Sequence, residues 1–208
     1  DARNEVNDEE MFFLEEFGLR HQTKEAYPFS YVDFVKHGKD NSSSKDNYLY
    51  VYSPEGAHAH KLLLARVHKD RLDIRSAWEY FQKFDNNRPK WTSDIRKRGY
   101  VQTFPDKSND GNYFGWYSWL PSIVFNEGLG LYIMVNGGTY AGRKMTSSDK
   151  DYYDAWMHTR TGSLGFWYSE NPYGPWYEFY YTDYWTVDDP NNRTYQPKLS
   201  PKWINENG

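Results

Sequence analysis

The chain has 208 residues and a net charge of −4, and this balance excludes the basic footprint that nucleic acid requires. It has no cysteine, which excludes disulfides and thiol catalysis, and no apolar run reaches membrane-spanning length. Aromatic residues make up 20% of it (20 Tyr, 12 Phe, 9 Trp), so the core must be built largely from rings whose polar tips need partners.

The chain begins at Asp1 with neither Met nor a signal-like segment, which reads as a start removed by processing or truncation. Residues 1–10 are acidic and polar. Met11 to Leu14 and Phe17 then form an apolar patch that ends at Gly18. It reads either as a short capped helix or as the outer strand of a preceding unit. Residues 19–26 read as polar loop.

Residues 29–35 (FSYVDFV) are the first candidate inner strand. Asp33 lies inside it, and a carboxylate in an apolar strand is costly unless it is paired or faces water. It therefore reads either as a backbone anchor or as a functional group. His37 follows at the strand end. A polar turn from Gly38 to Asp46 leads to a second strand, 48–53 (YLYVYS), and residues 61–67 (KLLLARV) give a third. The tip at Asn41 carries a glycosylation sequon, as does Asn192. His58 and His60 are spaced to share a strand face, but no third ligand accompanies them, so a surface loop is expected and no metal site.

Ser76-Ala77-Trp78-Glu79 matches a capping box, and Trp78, Phe81 and Phe84 fall on one helical face. A short helix over 77–83 is expected. Residues 90–92 and 100–104 read as an outer strand and its exit, and Arg96-Lys97-Arg98 as a solvated turn. The run 106–111 resembles the start of an EF-hand loop, but its twelfth position is Tyr117 rather than Glu, so it reads as a plain turn.

The stretch 116–138 (WYSWLPSIVFNEGLGLYIMVNGG) carries the clearest signal. It reads as two strands, about 118–125 and 129–136, joined by Asn126-Glu127-Gly128. The second strand is apolar almost throughout, which predicts burial on both faces. Residues 139–161 form a long polar stretch with Asp149, Asp151 and Asp154, a length often reserved for function. Residues 162–169 give a third strand, Glu170 to Pro175 a turn, 176–182 an outer strand and 183–192 a crossing. Residues 195–203 (YQPKLSPKW) then read as a further first strand, and its turn, 204–208, echoes Asn126–Gly128.

Three such starts recur at a spacing of roughly 75–90 residues, with about four strands per unit. This loose period predicts a β-propeller rather than an ordinary sandwich. The implied organisation is a lead-in over 1–26, blades over 27–105 and 113–183, and the start of a truncated blade over 194–208.

The runs YVDFVKHGKD, NYLYVYS, LLLARVHKDRLDIRSAWEYF and WTSDI, followed by SIVFNEGLGLYIMV, ENPYGPW and YQPKLSPKWINENG, resemble a bacterial family of five-bladed β-propeller domains that includes endo-acting D-arabinanases. The resemblance covers the chain from about Tyr27 to Gly208. It implies an all-β fold of which this chain holds about two blades plus one strand of a third. It also implies a glycoside hydrolase-like activity on, or binding of, an extracellular polysaccharide such as an arabinan. The alternatives are a non-catalytic glycan-binding propeller and a surface-assembly subunit. The implied setting is extracellular or periplasmic, and the implied partners are a glycan and the remaining blades, with no cofactor.

Glycoside hydrolysis needs two carboxyl groups across the scissile bond. In a propeller, inner-strand ends gather at the central channel. That places Asp33 there as the candidate catalytic carboxylate, with His37, Trp119, Tyr195 and Gln196 beside it. Trp116 and Tyr117 would offer rings to a sugar face, and His37 could orient a carboxylate.

Overall fold

The computed structural model describes residues 28–29, 32–55, 60–105, 120–137, 162–185 and 196–208. Ten strands form two antiparallel sheets, and no α-helix occurs among the described residues. The first sheet contains β1 (Asp33–Phe34), β2 (Tyr48–Pro54), β3 (Lys61–His68), β4 (Glu79–Asp85) and β5 (Arg88–Thr92), paired in that order. Its short sixth member, β6 (Gln102–Thr103), pairs with β3. The second sheet contains β7 (Ser122–Asn126), β8 (Leu131–Asn136), β9 (Gly162–Ser169) and β10 (Tyr177–Trp185), also in chain order.

The β2–β3 pair is the frame of the first sheet. Its register runs unbroken from Tyr48↔His68 to Pro54↔Leu62. Side chains alternate between faces along a strand, so Tyr50, Tyr52, Leu62 and Leu64 point one way while Val51, Leu63, Ala65 and Val67 point the other. Both sets are buried, as the unbroken apolar run of β3 requires.

The helix expected over 77–83 does not form. A 3-10 turn at Arg75–Ala77 precedes β4 instead, and Ser76 caps nothing. The reason lies in β-structure that imitates helical spacing. Tyr80 and Phe81 are buried on opposite faces of the sheet, the signature of a strand. A register shift between Phe81 and Lys83 then returns Phe84 to the same side as Phe81, with ring centroids 4.9 Å apart. The β4–β5 hairpin closes through Asn86 and Asn87, both left-handed at φ 49° and 60°. This is the backbone a two-residue type I′ turn demands, and Asn tolerates it.

Two other expectations need correction. Of the strand read over 29–35, the described residues form strand only at Asp33–Phe34, and Phe29 lies in a turn at φ 58°. The described part of the strand read over 195–203 is irregular and ends in a 3-10 turn, Pro201–Trp203. Pro197 and Pro201 lack the N–H groups a ladder needs, and Ser200 accepts from Lys202 N–H to cap the turn. The last strand also runs to Trp185, past the crossing expected from 183. The central hairpin forms with its turn at 127–130 rather than 126–128, so β7 keeps Asn126 and β8 opens at Leu131 rather than 129. Gly130 takes φ 67°, and five residues of β8 are buried. The apolar patch at 11–17, the turn at 106–111 and the stretch 139–161 lie outside the described residues.

One shared core joins the sheets. Tyr52, Leu62, Leu64 and Phe81 of the first sheet meet Ile123, Tyr132, Met134 and Trp167 of the second. The polar tips find partners, as buried rings require. Tyr52 Oη donates to the Pro172 carbonyl at 2.7 Å and accepts from Trp176 Nε1 at 3.2 Å.

The first strands of the two sheets also meet edge to edge, in parallel, through a bridge between Lys36 and Val124. Lys36 N–H donates to the Ile123 carbonyl at 3.1 Å, and Phe125 N–H donates to the Lys36 carbonyl at 2.7 Å. Leu199 N–H donates to Ser122 Oγ, a side chain of β7, at 3.3 Å. The stretch around Leu199 therefore touches β7, as the segment just after β1 does.

Candidate functional site

Asp33 sits where these three segments meet. Its carboxylate accepts from Lys36 Nζ at 3.2 Å through both oxygens, from Lys198 Nζ at 3.1 Å and from Ile123 N–H at 3.2 Å. The donors come from all three segments, and the side chain is only 11% exposed. A carboxylate offers about four acceptor positions, and these contacts use that capacity. Every one of them requires an acceptor, so the geometry suits an anchor, a base or a charge stabiliser, and it does not suit a proton donor.

Asp33 and His37 line one cleft of about 610 Å³ together with Phe34, Lys36, Asp46 and Tyr48. Asp46 is the feature that reading the sequence missed. It ends the polar turn two residues before β2 opens at Tyr48. Its Oδ1 accepts from Tyr48 N–H at 2.9 Å, and its Oδ2 accepts from Tyr50 Oη at 2.7 Å. An Asp two residues before a strand of rings was the available signal, since such a side chain commonly caps its own backbone two residues on. Lys198 carried no signal at all, because 165 positions separate it from Asp33.

His37 is buried at the seam between the sheets. Its Nδ1 lies 2.9 Å from Tyr132 Oη, and the two rings meet edge to face at 5.6 Å. Its Nε2 is buried without a hydrogen-bond partner among the described residues. Burial lowers the imidazole below its ordinary value, while the Asp46 charge pulls weakly the other way. Burial raises the phenols of Tyr132 and Tyr50, with Asp46 adding to both. Burial thus disfavours the charged form of all three rings.

The lowered imidazole gives a pH dependence with a definite sign. The unfolded chain binds the His37 proton more readily than the folded one, so stability rises with pH across the interval. The contribution of His37 is complete above its ordinary value of 6.5 and is lost as pH falls through the depressed folded value. Denaturant melts at pH 7.5 and 5.0 are expected to show the acid loss in the wild type. His37→Gln, which carries no proton to gain, should flatten that slope by up to one proton, at most about 1.4 kcal/mol per pH unit. An unchanged slope would remove His37 as its source.

Of the other expected site residues, Gln196 is exposed, in a left-handed conformation at φ 53°, and it does not line the cleft. Trp116, Tyr117, Trp119 and Tyr195 lie outside the described residues. His60 is described and His58 is not. No cluster of three metal-ligating side chains occurs among the described residues, and no described helix is long and apolar enough to cross a membrane.

The cleft thus joins two carboxylates, two lysines (Lys36 and Lys69), amides from Asn41 and Asn47, and the half-exposed ring of Phe34. Chemically, this lining can accept hydrogen bonds at its carboxylates and donate them from its amides and lysines, beside one apolar ring.

No protein-family model matches this chain, and no curated protein matches it. A solved structure from Bacteroides ovatus ATCC 8483, named "putative hydrolase", is similar at 19% identity and a TM-score of 0.34. The likeness covers 64% of this chain and 25% of that one, so the chain spans about a quarter of that protein's length.

Proposed function

We propose that this chain forms two consecutive blades of a β-propeller and the opening of a third, within a carbohydrate-active, glycoside hydrolase-like protein of the cell exterior or periplasm. The blades correspond to residues 27–105 and 113–183, and the third opens over 194–208. The observation that carries this reading is the meeting of three successive unit starts at Asp33, on the wall of a polar cleft. In both sheets consecutive strands pair in chain order from a short first strand, with β6 returning to β3 in the first, and a parallel bridge joins the segment after β1 to β7. Radial repetition of sheets around a channel supports such a pattern.

The proposed ligand is an extracellular polysaccharide, an arabinan among the candidates. Asp33 would serve as the base or nucleophile of a hydrolytic pair, held by Lys36 and Lys198. Asp46, which lines the same cleft, is the candidate for the second carboxyl group. Hydrolysis by two carboxyl groups would follow the usual division into an acid and a base or nucleophile.

One observation favours a second reading. The acceptor capacity of Asp33 is already used by protein donors, which suits a wall that binds a glycan without cleaving it. A panel of polysaccharides, arabinans included, tests both readings when reducing-end release and retention of the protein on the polymer are measured together. Release that Asp33→Asn abolishes supports hydrolysis. Retention without release supports binding alone. Neither release nor retention on any polymer would overturn the carbohydrate reading.

A further inference from the structure

The turn between β9 and β10 is pinned to the first sheet through its backbone carbonyls. Lys45 Nζ donates to the Glu170 carbonyl at 3.1 Å, and Tyr52 Oη donates to the Pro172 carbonyl at 2.7 Å. Within the turn, Asn171 N–H donates to Ser169 Oγ at 3.1 Å, and Gly174 N–H donates to the Asn171 carbonyl at 3.2 Å. The side chains of Glu170 and Asn171 take part in none of these bonds. Among the described residues, no hydrogen bond or ion pair engages them or the side chain of Asn87. The backbone is thus fixed while its polar side chains are left open, an arrangement organised before any ligand arrives.

These side chains share a pocket of about 260 Å³ with Tyr168, Tyr177 and Pro175. Asn87, in the turn of the β4–β5 hairpin, brings the first sheet to its rim, so the pocket straddles the seam between the sheets. It shares no residue with the cleft at Asp33. Tyr168 and Tyr177 are paired across β9 and β10 and therefore stand on the same face. Their ring centroids are 5.5 Å apart, with planes inclined by 36°. They are 36% and 51% exposed. The result is an uncovered aromatic platform with a carboxylate and two amides beside it.

Size, shape and free valences select the ligand. The volume falls below the roughly 300–1,000 Å³ that drug-sized ligands occupy, so a single small ring fits. The open ring faces take C–H groups, the Glu170 carboxylate accepts from hydroxyls, and the amides both donate and accept. A quaternary ammonium group would want rings set around it as a cage. The described lining has two rings only, and they lie beside one another on one face. The contrast with the cleft is also chemical: protein donors fill the acceptor positions of Asp33, whereas the Glu170 side chain is exposed and unengaged.

We propose that the pocket formed by Asn87, Tyr168, Glu170, Asn171 and Tyr177 is a second carbohydrate subsite, which seats one sugar ring of a polysaccharide on the two tyrosines. It anchors the polymer outside the cleft at Asp33. The inference rests on the carbohydrate reading and adds a separate point of contact to it.

Affinity electrophoresis of the folded chain through native gels that contain arabinan, xylan or β-glucan tests the subsite. At least one polymer is expected to retard the wild type. Tyr177→Ala should weaken that retardation by about tenfold or more, as loss of a central aromatic contact does. Tyr177→Leu, which keeps apolar bulk without a ring, should fare as badly, and Tyr177→Trp should retain the binding. Glu170→Gln should weaken retardation severalfold, and it carries the test if Tyr177→Ala fails to fold, because its side chain is exposed and makes no bond that folding needs. Retardation that survives both Tyr177→Leu and Glu170→Gln but is lost in Asp33→Asn would overturn this inference and leave the carbohydrate reading in place at the cleft. Loss in the Tyr177 and Glu170 variants with no change in Asp33→Asn would uphold the subsite and remove the cleft. No retardation of the wild type by any polymer would overturn both.

Discussion

Gly165→Ala is expected to destabilise the protein by about 1–3 kcal/mol, because an added methyl must force a packed core apart. A Cβ at Gly165 would overlap the benzo edge of Trp167, two residues along the same strand. Trp167 is 2% exposed, forms an edge-to-face contact with Phe104 at 4.9 Å and lies in the core shared by both sheets. The indole folds back over its own strand, and only a glycine leaves it room. For a chain of this size, each kcal/mol corresponds to about 2–4 °C in melting temperature. Trp167→Ala should be worse, at about 3–5 kcal/mol, because it opens a cavity between the sheets. The double variant Gly165→Ala/Trp167→Phe is the diagnostic one. Phenylalanine lacks the overlapped benzo atoms, so the two changes should be less harmful together than their sum, a coupling expected only of side chains in contact. Additive losses would show that the two positions do not touch.

Asp33→Asn should act on stability and, under the hydrolytic reading, on catalysis. The substitution removes the charge that two lysines share and gives one oxygen's place to an amide nitrogen. Lys36 and Lys198 are 35% and 43% exposed and can turn to water, so the ionic part of the loss is small. The Ile123 N–H is less able to do so, and an orphaned buried donor costs about 1–3 kcal/mol. A total loss of that order is expected in denaturant melts. Reducing-end release should fall by about 10²–10⁴-fold, the usual contribution of a positioned acid–base group. Full release by a folded Asp33→Asn protein would take Asp33 out of the mechanism and leave it as an anchor.

The central hairpin was legible because its pattern had no rival. Residues 131–136 are apolar on both faces, and Asn126 and Gly130 supply turn chemistry on one side of them. The β2–β3 pair was legible for the same reason. The error at 77–83 arose where two periods overlapped: a bulge after Phe81 placed Phe84 three residues on and on the same face, as a helix would. Asn86-Asn87 was the competing signal, a hairpin turn that a helix running into it could not use. The error at 195–203 came from weighing the repeat above its two prolines, which cannot donate to a ladder.

The site was legible only as far as a local oddity could show it. A carboxylate inside the apolar run at Asp33 and a histidine at its end both drew notice, and both line the cleft. Their partners did not. Lys198, Ile123 and Tyr132 are distant in sequence, and only the meeting of unit starts brings them to Asp33 and His37. Asp46 was local, but it resembled an ordinary residue of a polar turn.

Zero-length carbodiimide cross-linking of the folded chain, read by peptide mass spectrometry, tests that meeting directly. A bond between the Asp33 carboxyl and the Lys198 amine, 3.1 Å apart, is the predicted product, formed within single chains and lost on unfolding. Cross-links from Asp33 to Lys36 alone, with Lys198 unmodified or joined elsewhere, would contradict the convergence of the unit starts and the site built upon it.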